Sequence, residues 1–169
     1  IDQRFVDFSK DKSTLEFNPL KYLDKNVIIL RSFNNFYGVE NLENAYIIAN
    51  DSLSKFINET IVINQVTKFD DDLMCAVYQD NEYYDKLRDK MKKEKERVYT
   101  ELKSNGINYY RSNTYYVLVE TNERKATIKK KLEREKLILY ESNDGHNMYW
   151  TLPLSDKYIN DKVIDVITN

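Results

Sequence analysis

Apolar and polar residues follow each other along this chain in two rhythms, which predict where strands and helices form. Short runs rich in branched or aromatic residues predict strands, and apolar residues repeated every three or four positions predict helices. The predicted strands cover residues 5–8, 26–33, 45–49, 107–110, 115–120, 137–140 and 148–152. The predicted helices cover residues 51–56, 70–78, 82–104 and 123–135, with a last one ending at residue 167. This mixture predicts an α/β fold.

The clearest predicted helix covers residues 82–104. Its narrow apolar stripe consists of Leu87, Met91, Val98 and Leu102. The pair Asn105-Gly106 that follows is typical of a helix end. Downstream of it, short strands and helices follow each other as in a small, mostly antiparallel α+β unit. We therefore place a domain boundary inside this helix, which gives domains at residues 1–95 and 96–169.

The composition excludes several classes of protein. Lysine plus arginine total 26 and aspartate plus glutamate total 28, so the net charge is −2 and bulk charge does not hold the chain to nucleic acid. The longest apolar runs, residues 27–30 and 115–119, are far too short to span a membrane. One cysteine, one histidine and three glycines exclude a disulfide framework, a histidine-cluster metal site and a glycine-rich phosphate loop. We expect a cytoplasmic protein with no metal, no nucleic-acid partner and no membrane partner.

Three features invite a site hypothesis but have simpler explanations. His146 lies in a polar turn, residues 142–147, without an adjoining nucleophile or acid, and we expect it to face solvent. Cys75 lies on the apolar side of a predicted helix, so we expect a small core residue there. The acidic run at residues 70–72 lacks the glycine and distal glutamate of a calcium loop, and it fits a helix N-terminus.

One continuous stretch, residues 28–50, follows the order of a known active-site segment. Its sequence is IILRSFNNFYGVENLENAYIIAN. It resembles the lysine-loop region of class I/II aminotransferases, in which a strand is followed by Arg-Thr-Phe-Ser-Lys, two aromatic residues and a glycine. The resemblance is strongest to the histidinol-phosphate aminotransferase and threonine-phosphate decarboxylase branch. The matching residues are Arg31, Ser32, Phe33, Phe36, Tyr37, Gly38, Val39, Leu42 and Tyr46.

The resemblance extends over essentially the whole chain. The opening residues 1–5, Ile-Asp-Gln-Arg-Phe, resemble the family's Val-Asp-Glu-Ala-Tyr. Residues 83–106 resemble its long interdomain helix, residues 111–119 a strand of its small domain, and residues 137–140 and 149–152 the strands that carry substrate-binding arginines. The resemblance implies a partial large domain of an aminotransferase-like fold followed by a small α+β C-terminal domain. Because the chain opens close to a strand, we also expect a polypeptide upstream.

The family's cofactor positions are mostly changed in this chain. The lysine that forms a Schiff base with pyridoxal phosphate and moves the proton corresponds to Asn35, whose amide is neither a nucleophile nor a base. The serine and arginine that bind the cofactor phosphate correspond to Asn34 and Glu43, and a carboxylate repels a phosphate. The tyrosine that hydrogen-bonds the pyridoxal ring oxygen corresponds to Phe5, which has no donor. Asp2 alone retains the family residue, the partner of the ring nitrogen.

The substrate-binding positions are changed as well. The two family arginines correspond to Tyr140 and Trp150. The resemblance therefore implies that the covalent anchor, the phosphate clamp and the substrate clamp are all missing. Asp2 has an ordinary alternative role as a polar residue at a strand end. We expect no cofactor on this chain, and pyridoxal phosphate only if other residues rescue the chemistry.

Three functions remain open at this point. In the first, the chain is an aminotransferase-like pseudoenzyme with an assembly or binding role, as the tail of a larger protein such as a nucleotidyltransferase fusion, and it forms a homodimer. In the second, a missing N-terminal half completes an active pyridoxal-phosphate-dependent aminotransferase or decarboxylase. In the third, the chain is an unrelated α+β interaction domain.

Two structural observations distinguish these functions. The active enzyme requires a lysine close to Asp2. The nearest lysines in sequence are Lys10, Lys12, Lys25 and Lys68. The unrelated domain is excluded if the strands near Phe5, Ile29 and Ile47 lie side by side in one sheet, with the last one antiparallel to the others.

Overall fold

The chain divides into two compact units, Ile1–Arg88 and Asp89–Asn169. The computed structural model describes residues 1–9, 19–39, 42, 44–61, 66–121 and 125–168. The division falls inside the long helix that the sequence predicts. Across the described ranges, no helix is both long and apolar enough to cross a membrane.

The first unit is built around a small sheet. Strand β1 (Ile29–Ser32) pairs antiparallel with β2 (Ala45–Ile48). On the opposite edge of β1, Asp2 forms an isolated parallel bridge with Leu30. A 3₁₀ turn at Pro19–Tyr22 precedes β1. Branched residues dominate both strands, which suits them to pack as a pleated, partly buried surface.

The opening residues differ from the expected strand. Only the bridge at Asp2 is extended, and Val6–Phe8 forms a short 3₁₀ helix. The prediction of a strand at residues 5–8 is therefore wrong. Its apolar residues do not alternate strictly with polar ones. The tight turn instead buries Val6 and brings the rings of Phe5 and Phe8 to 6.2 Å.

Two helices follow the sheet in the first unit. Helix α1 (Asp51–Thr60) begins after Asn50, whose side chain accepts a hydrogen bond from the Leu53 amide at 2.9 Å. Helix α2 (Lys68–Gln79) begins with a capping box between Thr67 and Asp70. The expectation that Cys75 is a core residue is wrong, because this side chain lies on the exposed side of α2.

Helix α3 (Asn81–Ser104) is the long helix that the sequence predicts. As expected, the helix is terminated by the pair Asn105-Gly106, in which Gly106 takes the left-handed conformation at φ 66°. The amides of Gly106 and Ile107 donate to the carbonyls of Lys103 and Leu102, which closes the last turn. At its other end, in the first unit, the Tyr84 hydroxyl donates to the Tyr37 carbonyl at 3.1 Å.

The second unit is a four-stranded antiparallel sheet covered by helices. Its strands are β3 (Tyr109–Tyr110), β4 (Tyr116–Glu120), β5 (Tyr140–Asn143) and β6 (Met148–Pro153), in the order β3-β4-β6-β5. Its further helices are α4 (Lys125–Arg134) and α5 (Lys157–Thr168). The predicted strand at residues 137–140 is mostly wrong. Leu137 and Leu139 pack against the core but lie outside the sheet, because strand β5 begins only at Tyr140.

The core of the second unit joins the sheet to the last part of α3 and to α4 and α5. Its buried apolar residues are Val98, Tyr99, Leu102, Val117, Val119, Ile128, Leu132, Trp150, Leu152, Val163, Ile164, Val166 and Ile167. On β4 and β6 these residues alternate with less buried ones, as expected for a sheet with one covered face.

Candidate functional site

Three backbone segments bring the family positions of the first unit to one edge of its sheet. The Gln3 amide donates to the Leu30 carbonyl, and the Leu30 amide donates to the Ile1 carbonyl, each at 2.9 Å. Residues 1–3 therefore run parallel to β1, and β2 runs antiparallel along the other edge. The predicted side-by-side order is confirmed, with its first member reduced to the bridge at Asp2.

This arrangement determines which candidate site residues lie at the same end of the strands. Parallel segments end at the same edge of a sheet, where binding residues of α/β folds usually lie. Phe5 follows the Asp2 bridge, and Asn34 and Asn35 follow β1. These four positions therefore belong to one edge of the first unit.

The carboxylate of Asp2 is occupied by Arg4. Arg4 Nη2 donates to Asp2 Oδ2 at 2.8 Å, and Arg4 Nε lies 3.1 Å from both carboxylate oxygens. The Arg4 amide also donates to Asp2 Oδ1 at 2.9 Å. Hydrogen bonding by this guanidinium is the largest cause that holds the pKa of Asp2 below its ordinary value. Both side chains are about half exposed, so the pair is open to solvent.

Sequence reasoning missed the role of Arg4. Arg4 lies in the turn that begins directly after the Asp2 bridge, and its amide and guanidinium both reach the Asp2 carboxylate. By resemblance, the family has alanine at this position. The signal that could have identified it was the opposite charge two residues after the retained carboxylate.

Gln3, which lies between Asp2 and Arg4, anchors residues 1–3 through its buried side chain. Gln3 is buried, and its Oε1 accepts hydrogen bonds from Arg31 Nε at 3.2 Å and Nη2 at 3.0 Å. Arg31 is also buried and hydrogen-bonds the side chain of Tyr46, its partner on β2. This buried network fixes the position of the Asp2 bridge against β1.

The turn after β1 contains Asn34 and Asn35, which the sequence resemblance matches to the family's serine and lysine. The Asn34 amide donates to Ser32 Oγ at 3.1 Å, and this hydroxyl donates to the Asn44 carbonyl at 3.3 Å. Within the described residues, Asn34 Oδ1 and Asn44 Nδ2 are buried without a hydrogen-bond partner. One neutral acceptor and one neutral donor do not make a phosphate site, which needs several donors and positive charge. Asn35 follows with a partly buried carboxamide.

Phe5 belongs to an aromatic cluster. Its ring lies 6.2 Å from Phe8, which lies 5.1 Å from Phe36. The guanidinium carbon of Arg88 lies 4.6 Å from the centre of the Phe36 ring. Burial raises the pKa of Tyr37 in the same cluster, so its phenol stays neutral. These contacts are packing and cation–π interactions, and Phe5 offers no hydroxyl to a ring oxygen.

Within the described part of the first unit, the remaining candidates do not add a lysine to this edge. Glu43, Lys10 and Lys12 lie outside the described residues. Lys68 forms an ion pair with Asp72 on α2. Among the residues that the structure describes, neither Lys68 nor Lys25 contacts the Asp2 carboxylate.

Tyr140 and Trp150 lie on neighbouring strands of the second unit but on opposite faces of its sheet. Trp150 is opposite Glu141 and Tyr140 is opposite Thr151, and successive residues of a strand point to opposite faces. Trp150 is 3% exposed within the core, whereas Tyr140 is 73% exposed. The Trp150 indole donates to the Glu141 carboxylate, which Lys125 contacts at 2.8 Å. The single donor of Trp150 is therefore already used within the unit.

The described residues at these positions do not fit pyridoxal phosphate. Asn35 offers no amine for covalent attachment. The carboxylate of Asp2, which would face the ring nitrogen, already holds the Arg4 guanidinium. Phe5 has no hydrogen-bond donor. In the same described ranges, no group of three or more His, Cys, Asp or Glu side chains could hold a metal ion.

Comparison with known proteins identifies relatives of the chain. The family model described as aminotransferase class I and II matches residues 3–144. Histidinol-phosphate aminotransferase 2 of Archaeoglobus fulgidus is 24% identical over 169 residues, which cover 99% of this chain and 48% of that protein.

Solved structures agree with this match. The histidinol-phosphate aminotransferase of Clostridium acetobutylicum superimposes with a TM-score of 0.86 at 20% identity, over 99% of this chain and 52% of that chain. The enzyme of Sinorhizobium meliloti, in complex with pyridoxal-5'-phosphate, superimposes with a TM-score of 0.83 at 14% identity, over 99% and 46%.

The chain spans about half the length of the relatives it matches. Its mixed α/β structure is accordingly a partial aminotransferase-like fold. The hypothesis of an unrelated interaction domain is wrong, because both the sequence match and the order of the segments beside β1 contradict it. The chain belongs to the aminotransferase class I and II family.

Proposed function

We propose that this chain is an aminotransferase-like domain that does not transaminate and that acts in binding or assembly. The observation that carries the proposal is Asn35 at the family's Schiff-base lysine position, in the turn directly after β1. A carboxamide nitrogen has its lone pair delocalised into the carbonyl. It neither adds to an aldehyde nor accepts a proton near neutral pH.

The contacts of Asp2 support the same proposal. In this family the carboxylate at that position faces the ring nitrogen, by the resemblance of residues 1–5. Here Arg4 binds both of its oxygens through two guanidinium nitrogens. A cationic ring would have to displace that charge-assisted interaction before it could use the carboxylate.

The residues that the resemblance matches to the substrate-binding arginines, in the second unit, support it independently. Trp150 is buried and donates its indole N–H to Glu141. A substrate carboxylate needs a cationic, bidentate donor such as arginine. Neither Trp150 nor the exposed Tyr140 supplies one.

The experiment is an absorbance titration of the purified protein with pyridoxal phosphate, followed by borohydride reduction and peptide mass mapping. We expect the spectrum of the free aldehyde, and at most scattered adducts on surface lysines that disappear when Tris competes for the aldehyde. The histidinol-phosphate aminotransferase of Clostridium acetobutylicum serves as the positive control. A protein-bound band with one lysine reduced in stoichiometric yield would contradict the proposal and support the alternative of an active, completed enzyme.

The assembly part of the proposal concerns what the chain works with. The chain covers only about half of its relatives, so we propose that it acts together with the missing N-terminal half or a fused domain, as a homodimer in the cytoplasm. Light scattering of the native protein measures the number of copies. A native mass equal to one copy would contradict the homodimer without affecting the absence of transamination.

A further inference from the structure

The helices of the two units differ in how many of their residues are fully buried. In the second unit, α4 buries Ile128 and Leu132, and α5 buries four apolar residues and Asn160. In the first unit, α1 and α2 bury no residue at all. Both are nevertheless amphipathic, with apolar residues at helical spacing.

The apolar positions of α1 and α2 form ordered stripes. On α1 they are Leu53, Phe56 and Ile57, followed by Ile61 after the last turn. On α2 they are Phe69, Leu73 and Val77, one helical turn apart. Such spacing is typical of a helix face that packs against another element.

Four large apolar side chains on and between these helices are strongly exposed, whereas Leu53, Ile57, Leu73 and Val77 are partly buried. Phe56 is 63% exposed and Phe69 is 71% exposed, and Ile61 and Val66 between them are each more than half exposed. Isolated exposed apolar residues are ordinary, but a concentration of large ones within one segment marks an interaction surface.

The first unit also has a small core of its own. Among the described residues, its buried apolar side chains are Val6, Ile29, Phe36, Tyr37 and Tyr84. The second unit, of similar length, buries thirteen among its described residues. Further apolar material that would enlarge the first core is present on α1 and α2, and among the described residues Phe56, Ile61, Val66 and Phe69 are left largely exposed.

We propose that the apolar faces of α1 and α2 are the docking surface for the polypeptide that supplies the remaining half of the aminotransferase fold. Essentially all of this chain aligns with its relatives, yet it accounts for only 48% of the Archaeoglobus fulgidus protein and 52% of the Clostridium acetobutylicum chain. The other half of the fold is therefore the occupant to which this coverage points. This inference extends the assembly part of the proposed function and does not depend on pyridoxal phosphate.

Hydroxyl-radical footprinting of the native protein, purified without denaturation, tests the proposal. The oxidation rate of each side chain is divided by its rate in urea, which removes intrinsic reactivity. Tyr140 and Tyr158 are the references, because they are 73% and 68% exposed in the second unit. We expect Phe56 and Phe69 to be oxidised at least about fivefold more slowly than these references, since docking removes them from water.

Charge substitutions identify the occupant. Phe69→Glu places an acid in the first turn of α2, where it suits the helix dipole and leaves the helix intact. We expect it to restore fast oxidation at Phe56, whereas the matched control Tyr158→Glu leaves Phe56 protected. Oxidation of Phe56 and Phe69 at the reference rates in the native protein would overturn the proposal. Protection that appears in the isolated 169-residue chain only as it dimerises would also overturn it, because the occupant would then be a second copy. Either result leaves the pyridoxal phosphate titration unaffected, so the two proposals fail separately.

Discussion

At the scale of single residues, the pair formed by Asp2 and Arg4 makes a direct titration prediction. The guanidinium favours the charged carboxylate and lowers the pKa of Asp2. We expect Arg4→Ala to raise this pKa toward the ordinary aspartate value. The measurement is a ¹³C NMR titration of the Asp2 carboxyl carbon.

The sign of the linked stability follows from the direction of the shift. Because the pKa of Asp2 is lowered in the folded protein, the stabilisation is present at neutral pH and is lost as the pH falls through the titration of Asp2. Arg4→Lys is the control, since it keeps the charge but loses the planar fork, and we expect an intermediate pKa. An Asp2 pKa that is identical in Arg4→Ala and the unchanged protein would show that the pair does not form in solution.

Asn160 carries the strongest residue-scale prediction in the second unit. It is 1% exposed, and its Nδ2 donates to Glu94 Oε1 at 2.8 Å and to the Ser155 carbonyl at 3.0 Å. Its Oδ1 accepts from the Ser155 amide at 2.9 Å. Replacing it with alanine removes all three hydrogen bonds and the packing of a buried side chain, so we expect Asn160→Ala to cost about 2 kcal/mol of unfolding free energy. Urea denaturation followed by Trp150 fluorescence measures the loss.

A charged replacement at the same position separates hydrogen bonding from packing. Hydrogen bonds from Arg97 first, and then from Asn160, hold the pKa of Glu94 below its ordinary value. Asn160→Asp would place a second carboxylate against Glu94, and burial and repulsion would raise the pKa of the new acid. A raised carboxyl pKa costs stability above that pKa, so the deficit of Asn160→Asp should shrink as the pH falls from 7 toward about 4. An equal deficit at both pH values would contradict the role assigned to Glu94.

Single residues also show which parts of the candidate site can be predicted from the sequence. Asn35, Phe5 and Trp150 can be named as site candidates from sequence, because the resemblance matches each of them to a position in a local family motif. The occupation of Asp2 by Arg4 could not be derived that way, because it depends on side-chain geometry at a bridge with Leu30. Likewise, no local pattern pairs the Trp150 indole with Glu141, since that contact requires the register of β5 and β6.

At the scale of elements, the connection between β5 and β6 is organised by Asp144. Its Oδ1 accepts from the amides of His146 and Asn147, at 2.9 and 2.7 Å, and its Oδ2 accepts from the Tyr149 hydroxyl at 2.7 Å. The Asn147 amide, then the Tyr149 hydroxyl, lowers the pKa of Asp144 to about 2. The turn should therefore stay intact as other aspartates protonate, and open only as the pH approaches about 2.

The pKa of Tyr149, whose hydroxyl donates to Asp144, provides the measurement for this turn. The hydrogen bond to Asp144 raises the pKa of Tyr149 to about 12. We expect Asp144→Asn to lower it toward the ordinary tyrosine value of about 10, because the amide oxygen carries no charge. NMR titration of ring-labelled tyrosine follows Tyr149, and Tyr140 is the internal control. A Tyr149 pKa unchanged in Asp144→Asn would mean that the carboxylate is not its acceptor.

Elements were predictable where the pattern is long and local. Helix α3 and its end at Gly106 follow from apolar periodicity and one glycine, which no tertiary contact has to decide. Val6–Phe8 was mistaken for a strand because three apolar residues in four positions fit both an extended segment and a turn. Leu137 and Leu139 fit a strand pattern because they are apolar and partly buried, but they pack against the core from outside the strands.

At the scale of the whole molecule, the sequence predicts the α/β class and the change of architecture across α3. It does not predict that the two units differ in how much apolar material they bury. Periodicity shows that α1 and α2 have apolar faces, but it does not show whether anything covers them. That depends on contacts between distant segments, and among the described residues Phe56 and Phe69 are left largely exposed while no residue of either helix is fully buried. The proposed cover lies in the part of the fold that the chain does not span, to which only comparison with longer relatives points.

This imbalance predicts how the 169-residue chain unfolds. Buried apolar area is the main favourable term in folding, and among the residues that the structure describes the first unit buries five apolar side chains where the second buries thirteen. We expect two transitions in urea, with the first unit unfolding at the lower concentration. Trp150, the only tryptophan, reports on the second unit, and amide resonances of β1 and β2 report on the first.

Two matched core truncations assign the transitions. Leu152 is fully buried in the second unit, and Ile29 is 1% exposed in the first. We expect Leu152→Ala to remove about 3 kcal/mol from the transition seen by Trp150 and to leave the resonances of β1 and β2 unchanged, because the cavity lies in the other core. Ile29→Ala should have the reverse effect. If both variants shift a single common transition, the units fold as one cooperative body, and the small core of the first unit is then stabilised through α3, the helix that they share.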